Sequence, residues 1–340
     1  MQWPIILDKL ASGSHLTRRQ AHEAMAEIMG GNATAAQIAA FIVSLRIKGE
    51  TVEEMTGLVE AMREAAVPVA VDRPVVDVVG TGGDRAGTFN ISTTAALVAA
   101  AAGVPVAKHG NRSASSKCGS ADVLEGLGMA IELGPEAAAG LLADTGFTFL
   151  YAPRFHPAMR YAGPVRREMG IPTVFNFLGP LANPAGARRQ AVGVSDGTMA
   201  AKMIRVLAAL GSEYSFVVHG EDGLDEVTTT APTYIHRLKD GEITHAEFTP
   251  EDFGVPRARR EDLLGGDVTE NVAIARAVLD GRKGPQRDAV VVNAAPAIVV
   301  GGLVPGFVQA VSVAHEAIDS GRARELLEAV VTRSHELAAS

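Results

Sequence analysis

The chain has 340 residues, 47% hydrophobic and 21% charged, which excludes wholesale disorder and allows two domains at roughly 100–200 residues each. Lys and Arg number 31 against 39 Asp and Glu, a net charge of −8; a duplex-binding protein shows the opposite surplus, because Lys and Arg replace counterions along the phosphate backbone. A single cysteine, Cys118, excludes an intrachain disulfide and Cys-based zinc frameworks, and fits a reducing compartment.

The N-terminal string MQWPIILDKL lacks the basic start and small-residue cleavage site of a signal peptide, so a cytoplasmic location is expected. The first seventy residues read as helices only. Thr17, Thr34 and Thr51 each stand three residues before Gln20, Gln37 or Glu54, the pattern of a capping box, and apolar residues follow at helical spacing. Gly30–Gly31 and Gly49 stop the first two of these helices. The β-branched run at 75–79 then predicts a buried strand, followed by a Gly-rich turn and a helix starting near Ser92 or Thr93. A second strand is expected at 104–107, a polar loop over 108–120, and a helix near 121–127. The apolar stretch at 95–107, broken by Gly103 and Pro105, is too short to span a bilayer, which needs about 20 residues.

Further strands are expected at 147–151, 190–194 and 216–219. Strand, loop and helix in repeated order predict parallel βα units. Asp240–Gly241 marks a hairpin turn, and residues 268–339 read as mostly helical. The segment 156–184, punctuated by Pro and Gly, reads as broken helices that could return to the N-terminal unit.

Four strings carry possible chemistry. Gly80-Thr81-Gly82-Gly83-Asp84 follows a predicted strand, where glycines let backbone N–H groups approach phosphate oxygens, or simply form a turn. It fits neither the dinucleotide fingerprint nor the Walker loop, because Arg85 stands five residues after Gly80 and no Gly-Lys-Ser/Thr follows. Asn90-Ile91-Ser92-Thr93 opens a helix: its hydroxyls could cap that helix, or hold an anion or a magnesium ion. The stretch from Lys108 to Ser116 offers two fixed cations, Lys108 and Arg112, with three serines, a set suited to pyrophosphate or to a solvated loop. Lys117 beside Cys118 could lower the thiol pKa, although a small filler role suits the cysteine better. Adjacent Asp225 and Glu226 repel one another unless a cation intervenes, which suggests magnesium. His219 is given no role. Together the loops predict one pocket for a magnesium pyrophosphate ester at the end of a parallel sheet.

The strings GTGGD (80–84), NIST (90–93), KHGNR (108–112), SSKCGSADVLEGLG (115–128), FHPAMRYAGPVRREMG (155–170), FNFLGPLANP (175–184) and GLDE (223–226) resemble the anthranilate phosphoribosyltransferase family, collinearly to about Gly301. The resemblance implies a small all-helical domain, residues 1–70 joined by about 165–184, and a larger α/β domain, 71–164 and 185–340, with a mostly parallel central sheet. It also implies a homodimer that moves phosphoribose from phosphoribosyl pyrophosphate to the amine of anthranilate. By the same resemblance Gly80, Gly83, Asp84, Thr88, Asn90, Ile91, Ser92, Thr93, Lys108, Ser115, Ser116 and Ser120 hold phosphoribosyl pyrophosphate. Ser92, Asp225 and Glu226 hold Mg2+; Gly80, His109, Asn111, Arg166 and Pro180 meet anthranilate; Lys108 and Asp84 are the catalytic pair. Two rivals are a nucleoside phosphorylase, which shares this architecture but gives the acid pair no purpose, and a related fold repurposed for nucleic acid, which the net charge disfavours.

Overall fold

Three threonines set the start of three helices. A computed structural model of the chain describes residues 2–113 and 117–339. After a first helix, α1 (Trp3–Ala11), the side chains of Thr17, Thr34 and Thr51 accept the N–H three residues on and close reciprocal boxes with Gln20, Gln37 and Glu54. They open α2 (Arg18–Met29), α3 (Ala35–Lys48) and α4 (Val52–Glu64), satisfying donors that a helix start leaves orphaned.

The chain then alternates as β1 (Val76–Gly80), α5 (Ile91–Ala101), β2 (Val106–Gly110), α6 (Ser120–Gly126), α7 (Pro135–Thr145) and β3 (Phe147–Tyr151). The next stretch is broken, as its Pro and Gly content predicts: α8 (Ala152–Phe155), α9 (Gly163–Met169) and α10 (Phe175–Leu178), with 3-10 turns at Pro157–Arg160 and Gly179–Leu181. It packs back on the N-terminal helices, α9 against α3 and α10 against α4. Arg46 and Arg63 fasten it by donating to the Pro172 and Leu181 carbonyls at 2.6 and 2.8 Å. Then follow β4 (Arg189–Gly193), α11 (Gly197–Ala209), β5 (Tyr214–Gly220), β6 (Thr233–Lys239) and β7 (Glu242–Phe248). Four helices end the chain: α12 (Val268–Leu279), α13 (Pro285–Val300), α14 (Phe307–Asp319) and α15 (Arg322–Ala338).

The seven strands lie in the order β3-β2-β1-β4-β5-β6-β7. The first five are parallel and the last two antiparallel. Asp240 and Gly241, at φ 51° and 82°, form the expected two-residue turn, whose twist matches its strands. Alternation along each strand divides the core between the two faces of the sheet. Val76 and Val78 pack in one cluster with α5 and α13; Val79, Val192 and Val217 join a second with α11 and the N-terminal helices.

Two expected boundaries are corrected. β2 runs on to Gly110, so Lys108 and His109 are buried strand residues and not loop residues. Polarity argued for ending the strand, but Lys108 Nζ donates to the Val78 carbonyl of the neighbouring strand, which makes its burial tolerable. α5 begins at Ile91 with Asn90 in the capping position, and neither Ser92 nor Thr93 caps it.

Candidate active site

Strand order reverses between β1 and β4, since β2 and β3 extend the sheet one way and β5 the other. Open α/β sheets take ligands at such a switch, beyond the carboxyl ends of the strands. Here both strands end in glycine, and Gly80 and Gly193 are register partners. The segment carrying Asp225 lies over that pair. A Cβ at Gly80 would stand 2.5 Å from Asp225 Oδ2, and one at Gly193 only 1.7 Å from the Asp225 carbonyl oxygen. Gly193 is a site residue that motif reading missed. Its signal was a glycine inside a predicted strand, which often marks close backbone approach.

The turn after β1 folds onto the same segment. The Gly82 N–H donates to Asp225 Oδ2 at 2.6 Å, and the Thr81 N–H to the Gly193 carbonyl at 2.9 Å. At the start of α5, the Ser92 N–H donates to Glu226 Oε1 at 3.2 Å. Gly80, Ser92, Asp225 and Glu226 are thereby brought together. Lys108 faces them electrostatically from β2, with its pKa lowered by burial while Asp77, Glu226 and Asp225 oppose that shift.

The carboxylates are under-compensated. Burial pushes Asp225 up to about 7, with the Asp84 charge adding to the rise. Glu226 is raised well above the carboxylate range by burial, then by Asp225, with Lys108 opposing. Among the described residues no group of three or more His, Cys, Asp or Glu could hold a metal by itself. Two buried carboxylates, each holding one backbone N–H, suit magnesium, which binds through one or two carboxylates and completes its shell with water and phosphate oxygens.

The other phosphate candidates line the approach. Gly83 is exposed, Asp84 holds the Ala86 N–H at 3.1 Å, and Thr88 bridges to Leu264. Asn90 Nδ2 donates to the Cys118 carbonyl at 3.2 Å, while its Oδ1 is buried with no partner among the described residues, an acceptor suited to a ligand hydroxyl. Ile91 and Thr93 are buried in α5 and contribute backbone, not side chains, to this end of the helix. Ser120 Oγ donates to the Asn111 carbonyl at 3.0 Å. Ser115 and Ser116 lie outside the described residues. Arg112 is corrected as a free cation, because it pairs with Asp122 and Glu125 at 2.8 Å each. Burial raises the Cys118 thiol to about 11, so Lys117 does not activate it and the filler role stands.

Alternation along β2 turns His109 to the face opposite Lys108. Its ring lies 5.0 Å from that of His156, centre to centre, and burial followed by His156 lowers it to about 3, so it is neutral. Below it, buried Asp77 accepts the His109 N–H at 3.0 Å. Burial raises Asp77 to about 6 against the pull of Asn183, His109 and Lys108. Neither Asp77 nor His156 was found from sequence, since one sits inside an apolar run and the other in a broken segment. Pro180 is buried nearby, its carbonyl accepting from Gln190 Nε2 at 3.0 Å.

Arg166, on α9, lies over the Phe175 ring at 5.1 Å and has no carboxylate partner among the described residues. Half-buried, its pKa is lowered by desolvation alone. An unpaired guanidinium held against an aromatic ring is suited to an incoming carboxylate. Asn111 is exposed, with Oδ1 accepting the N–H of its neighbour Arg112 at 2.7 Å.

Comparison with known proteins agrees with this layout. Residues 4–66 match the glycosyl transferase family helical bundle domain, and 72–324 the a/b domain of the same family. Anthranilate phosphoribosyltransferase of Moorella thermoacetica is 55% identical over 326 residues, 96% of either chain. The Chloroflexus aggregans enzyme of that name is 54% identical over 321 residues, 94% of either chain. The crystal structure of anthranilate phosphoribosyltransferase from Thermus thermophilus superposes with a TM-score of 0.92 at 44% identity, covering 97% of this chain and 99% of that one. The Saccharomyces cerevisiae enzyme in complex with PRPP and Mg gives 0.91 at 28% identity, covering 98% of each.

Proposed function

The chain belongs to the anthranilate phosphoribosyltransferases, and from that premise we propose how its pocket carries out the family's reaction. It transfers the 5-phosphoribosyl group of phosphoribosyl pyrophosphate to the amine of anthranilate, releasing pyrophosphate, in tryptophan biosynthesis. One observation carries the assignment of the site: the turn after Gly80, the start of α5, Lys108 and the Asp225–Glu226 pair meet at a single strand-end switch.

The anomeric carbon loosens its bond to pyrophosphate first, and negative charge builds on the leaving group. Preorganised donors aimed at developing charge are the largest contribution in such sites. Lys108 and the N–H groups of the turn and of α5 supply them, and Asp84 shapes the turn by holding Ala86. Asp225, Glu226 and Ser92 would hold magnesium, which when bound neutralises pyrophosphate charge. Arg166 takes the anthranilate carboxylate as a planar fork, while His109, Pro180, Asn111 and the Gly80 end of β1 wall the acceptor. The aromatic amine is neutral at pH 7, so it needs positioning more than deprotonation, and neutral His109 leaves it uncharged company. No side chain is assigned as general base.

The resemblance supports a homodimer, a cytoplasmic location and a division at residues 1–70 with 165–184 against the remainder. No described helix is long and apolar enough to cross a membrane. The test is the loss of anthranilate fluorescence on mixing. It should require phosphoribosyl pyrophosphate and be lost when magnesium is chelated. Thymidine cleavage by inorganic phosphate, with anthranilate untouched, would establish the phosphorylase instead.

A further inference from the structure

Two buried asparagines late in the chain hold the pocket from behind. Asn271 on α12 is 2% exposed and Asn293 on α13 is 6%. A buried amide with its donors and acceptor all used is a rigid clamp, since movement would leave a desolvated polar group without a partner. Asn293 meets Val227 as one peptide meets another: Oδ1 accepts the Val227 N–H and Nδ2 donates to the Val227 carbonyl, both at 2.8 Å. Nδ2 also donates to Ala289 in its own helix at 2.9 Å. Val227 directly follows Glu226, so this clamp fixes the main chain from which the carboxylate hangs.

Asn271 acts on the opposite wall. Its Oδ1 accepts the Asn90 N–H at 3.1 Å, and its Nδ2 donates to Gly266 and Asp267 carbonyls at 2.9 and 2.8 Å. The same stretch is stapled by Phe89 N–H to the Leu263 carbonyl at 3.0 Å and Gly265 N–H to the Gly87 carbonyl at 2.9 Å. The two clamped segments meet in one hydrogen bond, from Ser92 to Glu226, and α12 packs on α13, which closes the ring.

We infer that Asn271 and Asn293 are positioning residues that set the spacing between the α5 N-terminus and Glu226, and so tune the pocket's grip on the magnesium pyrophosphate group. Neither touches substrate. The inference rests on the reading of this pocket as the phosphoribosyl pyrophosphate site.

The test is calorimetric binding of phosphoribosyl pyrophosphate to the full-length protein at several magnesium concentrations, for wild type, N293A, N271A and R287M. Arg287 is the control: it is buried on α13 and donates to Asp319 and His315 of α14 at 2.7 and 3.2 Å, so losing it loosens the helix without releasing Val227. N293A and N271A should each raise the dissociation constant at least tenfold and shift magnesium half-saturation upward, with the KM for anthranilate kept within twofold. R287M should melt earlier yet bind as wild type does. Asparagine variants that bind like wild type, or no worse than R287M at matched loss of Tm, overturn the inference. Should N293A fail to fold, N271A and N293S decide it by the same criteria. Wild-type protein that binds no phosphoribosyl pyrophosphate would remove the functional reading along with it; normal wild-type binding with silent asparagine variants removes this inference alone.

Discussion

The Gly82 N–H reaches Asp225 Oδ2 at 2.6 Å although 143 positions separate the two in sequence. That bond joins the turn after the first strand to the acidic segment after the fifth. It leaves the second carboxylate, Glu226, facing the Ser92 N–H and Lys108.

Asp225, at about 7, holds protons in part near neutrality when no cation is present, and burial moves Glu226 in the same direction. Magnesium bound with phosphoribosyl pyrophosphate must displace them, so affinity should fall as pH drops through about 7, and binding should release protons. Calorimetry in two buffers of different ionisation enthalpy measures that release; a value of zero would refute the assignment. D225N with E226Q should lower magnesium-supported turnover by orders of magnitude, read in the fluorescence assay.

R166A should raise the KM for anthranilate roughly tenfold or more, the scale of a lost charge-assisted hydrogen bond, and leave that for phosphoribosyl pyrophosphate within about twofold. R166K should fall between, because an ammonium cannot form the bidentate fork. Equal effects on both constants would detach Arg166 from the acceptor.

Gly193 should not tolerate alanine. The new Cβ would meet main chain, at 1.7 Å from the Asp225 carbonyl oxygen, and main chain cannot swing aside as a side chain does. G193A should abolish stabilisation by phosphoribosyl pyrophosphate in thermal melts. G140A, on α7, meets nothing nearer than 3.6 Å and should melt at or above wild type.

The capping boxes, the hairpin at Asp240–Gly241 and the strand at Phe147–Tyr151 were legible because each is written in a few adjacent residues. The convergence of Gly80, Lys108 and Asp225 followed from loops placed after strands. What was not legible depends on pairing across the chain. Lys108 looked like loop because its partner, the Val78 carbonyl, belongs to another strand. Arg112 looked free because Asp122 and Glu125 sit on the helix that follows the loop. Asn271 and Asn293 gave no signal, since an asparagine that clamps a distant peptide has the same letter as one facing water.

Asp77 supplies a prediction about stability. An acid whose folded pKa is about 6, against about 3.9 unfolded, keeps its proton longer when folded. Its stabilising effect is complete below the unfolded value and is lost as pH rises through the folded one. D77N, neutral throughout and still able to accept from His109, should therefore gain on wild type between about pH 4.5 and 7.5, by at most about 3 kcal/mol. Chemical denaturation at both pH values measures the gap, and an unchanged gap would mean that Asp77 does not titrate there.

Cys118 is the chain's single sulfhydryl, 8% exposed and held at about 11 beside the loop that follows β2. At physiological pH almost none of it is in the reactive anionic form, so peroxide and alkylating reagents find little to attack near the pocket. A cysteine placed on the outer surface would then be the thiol that an alkylating reagent modifies, and a dye could be attached there without first removing the native sulfur.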